Sequence, residues 1–123
     1  MSGPVFIDAS PLMQSLLTPE RRARAPGLRV HAGDPPSERL AELIGDAATV
    51  LNGHTPMPAE LLERLPTLRR IVFLGAGPAS YVDLTAAKRL GVAVRAIRGY
   101  GDVSVAEHAL ALIFAAARRV AAQ

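Results

Sequence analysis

The residues best suited to chemistry stand where apolar runs break. Ile71-Val72-Phe73-Leu74 breaks into Gly75-Ala76-Gly77-Pro78, a Gly-x-Gly turn directly after a strand-like segment. Such a turn has three uses. Its bare amides can hydrogen-bond a small anion such as a carboxylate. It can open a dinucleotide fingerprint, or it can serve only as a tight turn requiring positive φ. Asn52-Gly53-His54 follows another apolar run, Arg95 to Gly101 follows a third, and Asp8 closes the first. Histidine and arginine at such ends can meet a substrate's oxygens, and an aspartate there invites comparison with phospho-receiver domains.

Each alternative makes further demands. A dinucleotide turn needs a third glycine, a helix starting within the motif and an acidic residue about twenty positions on. Here Ser80 holds the third position with Tyr81 after it, the next helix is expected from the N-cap Asp83, and Arg95 stands where the acidic residue belongs. Arg95 leaves only an NADP version of that reading, in which it would meet a 2′-phosphate. A receiver domain needs its phosphoacceptor Asp at the third strand's end and a Lys at the fifth, where this chain has Asn52 and Arg95. His31, His54 and His108 are scattered, with no cysteine or spaced carboxylates to complete a metal site, so no metal is expected. His31 and His108 read as structural.

The elements that must position these residues alternate along the chain. Val5-Phe6-Ile7 reads as a first strand, and Ser10-Pro11 as an N-cap with proline at the first helical position, opening a helix through Leu17. Thr18 to Pro26 reads as a polar, Arg-rich connection. Strands are expected at Leu28 to His31, Ala48 to Leu51, Ile71 to Leu74 and Val92 to Val94. Helices are expected at Pro36 to Ile44, from Pro58 to before Pro66, and from Leu84 to Leu90, where Gly91 stops the last. Strands separated by helices imply right-handed crossovers and a parallel sheet, and continuous apolar runs imply strands covered on both faces. The expected fold is therefore α/β, a flavodoxin-like doubly wound five-stranded parallel sheet with a protruding C-terminal helix. In such sheets ligands bind beyond the carboxyl ends of the strands. Ser104 and Glu107 form a capping-box pattern, and Val105 to Val120 is long and apolar on more than one face, so that helix wants further partners.

Composition narrows the class. The 123 residues are 50% hydrophobic and 20% charged, which suits one domain with a core of Ala, Leu, Val and Ile, since aromatics are only 4%. The net charge of +3 comes from scattered arginines rather than a clustered stripe, so no nucleic-acid partner is expected. The C-terminal apolar segment is interrupted by Glu107, His108, Arg118 and Arg119, so no membrane span is expected. With no cysteine and no basic leader before Asp8, a cytoplasmic location is the expectation.

From Pro58 onward the ordered motifs resemble the N-terminal half of the D-isomer-specific 2-hydroxyacid dehydrogenases. They are Leu65-Pro66-Thr67-Leu68, Gly75-Ala76-Gly77, Val82-Asp83-Leu84, Gly91-Val92-Ala93-Val94, Gly99-Tyr100 and Val105-Ala106-Glu107-His108. The resemblance implies a substrate-binding domain over residues 1–101 and an interdomain or dimerisation helix over 102–123. It implies that Gly75, Ala76 and Gly77 hold a substrate carboxylate, with His54, Arg98 and Tyr100 in the substrate site and Val105 at the cofactor. NAD or NADP would bind a separate domain, together with the family's catalytic Arg, Glu and His, all beyond Gln123. The visible chain then carries no catalytic residue, no tightly bound cofactor and no turnover of its own. A small 2-hydroxy or 2-keto acid is the implied ligand, and a homodimer through helix 104–121 the implied assembly, using Ala109, Leu112, Ile113, Ala116 and Val120. The alternative is a non-catalytic acid-binding or dimerisation module. The chain departs from the family pattern in a longer Gly-x-Gly loop, in Ala96 where Asn is usual, in Arg98 where Pro is common, and in Gly101-Asp102 where Asn is frequent. Arg98 either favours a more anionic substrate or is simply solvated.

Overall fold

A computed structural model describes residues 2–120. The sheet has five parallel strands in the order β2-β1-β3-β4-β5. They are β1 (Val5–Ala9), β2 (Arg29–Ala32), β3 (Thr49–Asn52), β4 (Arg70–Phe73) and β5 (Ala93–Ala96). Helices α1 (Pro11–Ser15), α2 (Pro19–Ala23), α3 (Leu40–Ile44), α4 (Ala59–Glu63), α5 (Leu84–Arg89) and α6 (Asp102–Ala117) follow in chain order. The alternation and the flavodoxin-like order are as the sequence implied.

The core is one row of apolar side chains meeting the helices. Val5 pairs with Val50, Val50 with Ile71 and Ile71 with Val94, so these side chains line one face across the sheet. Against them pack Leu40 and Ile44 of α3, Leu61 and Leu62 of α4, and Ala86 and Ala87 of α5. α5 meets the core through the small side chains of Ala86 and Ala87. Gly45 at φ +58 and Gly91 at φ +71 end α3 and α5 in a conformation that β-carbons resist.

The expectation of equal cover on both faces needs correction. Only β1 is buried at every position; in β3 and β4 the buried residues alternate with half-buried or exposed ones. Val50 and Asn52 are buried while Thr49 and Leu51 are not, which is the period of a sheet with one well-covered face. The apolar runs hid this, because Leu51 and Val72 are apolar yet half-buried.

Other boundaries differ for local reasons. α1 stops at Ser15 rather than Leu17. The supposed Arg-rich connection contains α2, with Thr18 as N-cap and Pro19 at its first turn, the device that Ser10 and Pro11 supply for α1. Its arginines have a use: Arg21 Nη1 donates to the Leu16 carbonyl at 2.8 Å and Arg22 Nε to that of Leu17 at 3.3 Å, satisfying the end of α1. The segment from Pro36 begins with a 3₁₀ turn, Ser37–Arg39, before α3. The capping box at Ser104 does not form: α6 starts at Asp102 with Gly101 as N-cap, so Ser104 lies inside the helix and makes no cap hydrogen bond. Gly99 at φ +73 turns the chain early enough to start the helix there. No residue of α6 is buried. Among the described residues no helix is long and apolar enough to cross a membrane.

Candidate functional site

The parallel topology brings the carboxyl ends of β1, β3, β4 and β5 to one edge. Asn52 ends β3, and its carbonyl accepts from Leu74 N at 2.8 Å, so the Gly53-His54 loop lies beside the Gly75 turn. The Gly75 carbonyl accepts from Ile97 N at 3.1 Å, which brings the start of the β5–α6 loop, where Arg98 follows, against the same turn. The structure thus groups the backbones of His54, Gly75-Ala76-Gly77 and Arg98 on adjacent strand ends. Tyr100 and Val105 lie further along the departing chain, both exposed.

The glycine turn can be read atom by atom. Neither Gly75 nor Gly77 has positive φ, so a left-handed turn is not why glycine stands here. Gly75 is required by packing: an added β-carbon would stand 2.9 Å from Phe73 Cε1. Gly77, at φ −114° and ψ 65°, has no such neighbour, since nothing lies within 4 Å of its would-be β-carbon. Among the described residues the amides of Gly75, Ala76 and Gly77 donate to no protein acceptor, and Ala76 and Gly77 are exposed. Bare, unpaired and adjacent amides are what an anion needs.

The same turn does not fit a dinucleotide's pyrophosphate. Gly77 leads into a 3₁₀ turn, Pro78–Ser80, whose first residue has no N–H, and no α-helix begins before Leu84. The N-terminus of α5 is already taken by Asp83, whose Oδ1 accepts from Ala86 N at 2.8 Å, placing a carboxyl group where a phosphate would sit. Arg95 pairs with Val72 inside the ladder, and β5 runs on to Ala96. The sequence placed that arginine at the strand's end.

Asp8 has a role that sequence reasoning missed. It is 2% exposed, and its carboxyl oxygens accept from Gly53 N (2.8 and 3.1 Å), His54 N (2.7 Å), Thr55 N (2.9 Å) and Thr55 Oγ1 (2.8 Å). Asn52 closes the loop on itself, accepting from Thr55 N and donating Nδ2 to the Thr55 carbonyl, both at 2.8 Å. A carboxyl group so fully engaged is a latch and has no room to take a phosphoryl group. Its partners lie 45 to 47 residues away in sequence, and no local pattern announces them.

The His54 side chain lies between two carboxylates. Its Nε2 pairs with Asp34 Oδ1 at 2.7 Å, and its Nδ1 lies 3.6 Å from Asp8 Oδ2. Asp34 follows β2, so the ring reaches past the end of β1, toward the sheet edge opposite the Gly75 turn. His31 Nδ1 is 3.3 Å from the Gly33 carbonyl, and His108 is exposed on α6. No cluster of His, Asp or Glu able to hold a metal occurs among the described residues. Several arginines serve the fold: Arg29 donates to the Leu43 and Ile44 carbonyls at the end of α3, Arg69 to those of Pro66 and Leu68, and Arg89 pairs with Glu63.

Comparison with known proteins places this edge in context. Residues 5–122 match the family model of the D-isomer specific 2-hydroxyacid dehydrogenase catalytic domain. A hydroxypyruvate reductase of Blautia hydrogenotrophica is 40% identical over 76 residues, 62% of this chain and 23% of that protein. A glycerate dehydrogenase of Methylorubrum extorquens is 35% identical over 83 residues, 68% of this chain and 26% of that protein. The matched region thus spans about a quarter of the length of these relatives. Among solved structures, an acyclic imino acid reductase (Bsp5) in complex with NADPH and D-Arg has a TM-score of 0.80, covering 95% of this chain and 38% of that one. At 18% identity this is a likeness of fold.

Proposed function

The chain belongs to the D-isomer specific 2-hydroxyacid dehydrogenase family, and on that premise we propose that residues 1–101 are a substrate-binding lobe for a small 2-hydroxy or 2-keto acid. The amides of Gly75, Ala76 and Gly77 hold the acid's carboxylate. Arg98 and Tyr100 border it from the β5–α6 loop, and His54 from the β3 side once its imidazole leaves Asp34. In the complete enzyme NAD or NADP supplies or accepts the hydride at C2 of the acid. This chain's part is to bind and orient the acid, and the 123 residues alone are proposed to be inactive. Val105, near the start of α6, is proposed to face the cofactor.

The observation that supports this reading is the state of the glycine turn. Its amides are unpaired, and Gly77 is bare although neither φ nor packing demands it. Calorimetric titration of pyruvate into the wild-type chain and into Gly77→Val tests it. The expected result is binding by the wild type and at least tenfold weaker binding by the variant. Equal affinities would refute the cradle.

A second reading rests on α6. Its large apolar side chains, among them Val105, Leu112, Ile113 and Phe114, are more than half exposed, as for a helix that packs against a second copy. In this reading segment 102–123 is a dimerisation helix, with Ala109, Leu112, Ile113, Ala116 and Val120 at the contact; its residues 121–123 lie outside the described residues. Light scattering at micromolar concentration should then give twice the monomer mass.

A further inference from the structure

Asp8 is a buried carboxyl group that binding the acid, as proposed above, does not use. It lies one residue before the end of β1, among the described residues the only strand buried along its whole length, and it takes up the three consecutive amides after Asn52 together with the Thr55 hydroxyl. Those amides would otherwise form a second anion-binding nest beside the glycine turn. With Asp8 in place, the turn at Gly75 is the free donor set of the two neighbouring loops. The two are mechanically joined, because the Asn52 carbonyl accepts from Leu74 N at 2.8 Å, one residue before Gly75, while the Asn52 side chain is tied to Thr55 at both ends of its amide. Gly53 fits the latch closely: a β-carbon there would stand 3.3 Å from Asp8 Oδ1.

We infer that Asp8 is the positioning residue of the acid-binding edge, holding the Asn52–Thr55 loop so that the Gly75, Ala76 and Gly77 amides keep one fixed orientation. This rests on the carboxylate cradle proposed above for its functional meaning, but not for its geometry. A side chain that acts only on global stability would leave affinity and the glycine turn unchanged in the molecules that stay folded. A positioning residue would alter both.

The test uses ¹⁵N-labelled full chain in three forms: wild type, Thr55→Val and Asp8→Asn. Thr55→Val removes a single hydroxyl donor at nearly constant volume and leaves the three amide donors to Asp8 in place, so it is expected to stay folded even where Asp8→Asn does not. Without ligand, Thr55→Val should shift the amide resonances of Gly75, Ala76 and Gly77 as well as those of Gly53 to Thr55. Perturbation confined to residues 52–55 would overturn the inference. With pyruvate, both variants should bind at least about tenfold more weakly than the wild type at temperatures where the rest of the spectrum is unchanged. Wild-type affinity together with a lowered melting temperature would also overturn it, making Asp8 merely structural. A wild type that ignores pyruvate would refute the cradle, and the ligand-free spectra would still decide the positioning.

Discussion

Replacing Gly75 and Gly77 one at a time with alanine separates two reasons for a bare backbone. At Gly75 the new β-carbon would stand 2.9 Å from Phe73 Cε1 and 3.5 Å from Cδ1 and Cζ. Ordinary carbon contacts lie at about 3.5–4.0 Å, so the ring must retreat by roughly 0.6–1 Å. Phe73 is 3% exposed, and its ring packs on Tyr81 with centroids 5.4 Å apart. The Tyr81 backbone is pinned, its carbonyl accepting from Met57 N at 2.7 Å. Crowding of this kind costs about 1–3 kcal/mol, while Gly→Ala returns about 0.4–1 kcal/mol through the unfolded chain. The net loss for Gly75→Ala is then about 1.3 kcal/mol at the centre of these ranges, a fall in Tm of roughly 4–8 °C for a chain of this size. At Gly77 nothing crowds the β-carbon; the entropy gain is offset by a ψ of 65° before proline, leaving a change within about 0.5 kcal/mol. Urea denaturation followed by far-ultraviolet circular dichroism reads both. Equal losses, or a larger loss at Gly77, would refute the packing argument and with it the claim that the fold does not need Gly77 bare.

Other expectations follow from single contacts. Asp8→Ala strands the amides of Gly53 and His54 and the Thr55 hydroxyl, while Thr55 N keeps Asn52 Oδ1, and should cost roughly 2–4 kcal/mol in urea denaturation. Asp46 accepts from Ser2 N and Oγ, and the Ser2 hydroxyl holds its carboxyl below the usual carboxylate value. A folded pKa below the unfolded one means that the contact favours the folded state above the unfolded pKa and is lost as pH falls through the folded pKa. In a carboxyl-detected titration by nuclear magnetic resonance the Asp46 midpoint should lie below the usual value and rise in Ser2→Ala. If α6 pairs two copies as proposed, Ile113→Arg should give a monomer in light scattering where the wild type gives a dimer, and should leave the melting of the sheet domain within about 0.5 kcal/mol, because the side chain it replaces is exposed.

The strand and helix alternation was legible because each element carries its own punctuation: Ser10-Pro11, Asp83 and Gly91 act on their immediate neighbours, and the structure uses each as expected. α2 carries the same punctuation in Thr18-Pro19, but by sequence the segment reads as a polar, Arg-rich connection, because the carbonyls that Arg21 and Arg22 meet on the preceding turn leave no mark in it. Ser104 and Glu107 offered a plausible helix start, and Gly99 with Gly101 supplied an earlier one. What sequence reading could not reach was pairing at long range. Asp8 stood out as a strand-end carboxylate, yet its donors come from a loop more than forty residues on, and only the adjacency of β1 and β3 brings them together. Likewise, the glycine turn was found by its spacing, but which of its glycines the packing requires depends on where the Phe73 ring lies.

The most direct test of the central claim is a titration of pyruvate into the ¹⁵N-labelled wild-type chain, followed amide by amide. The account predicts saturable shifts centred on Gly75, Ala76 and Gly77, with much smaller movement at the Gly53, His54 and Thr55 amides that Asp8 already holds. Shifts absent from the glycine turn, or centred on another part of the molecule, would contradict it.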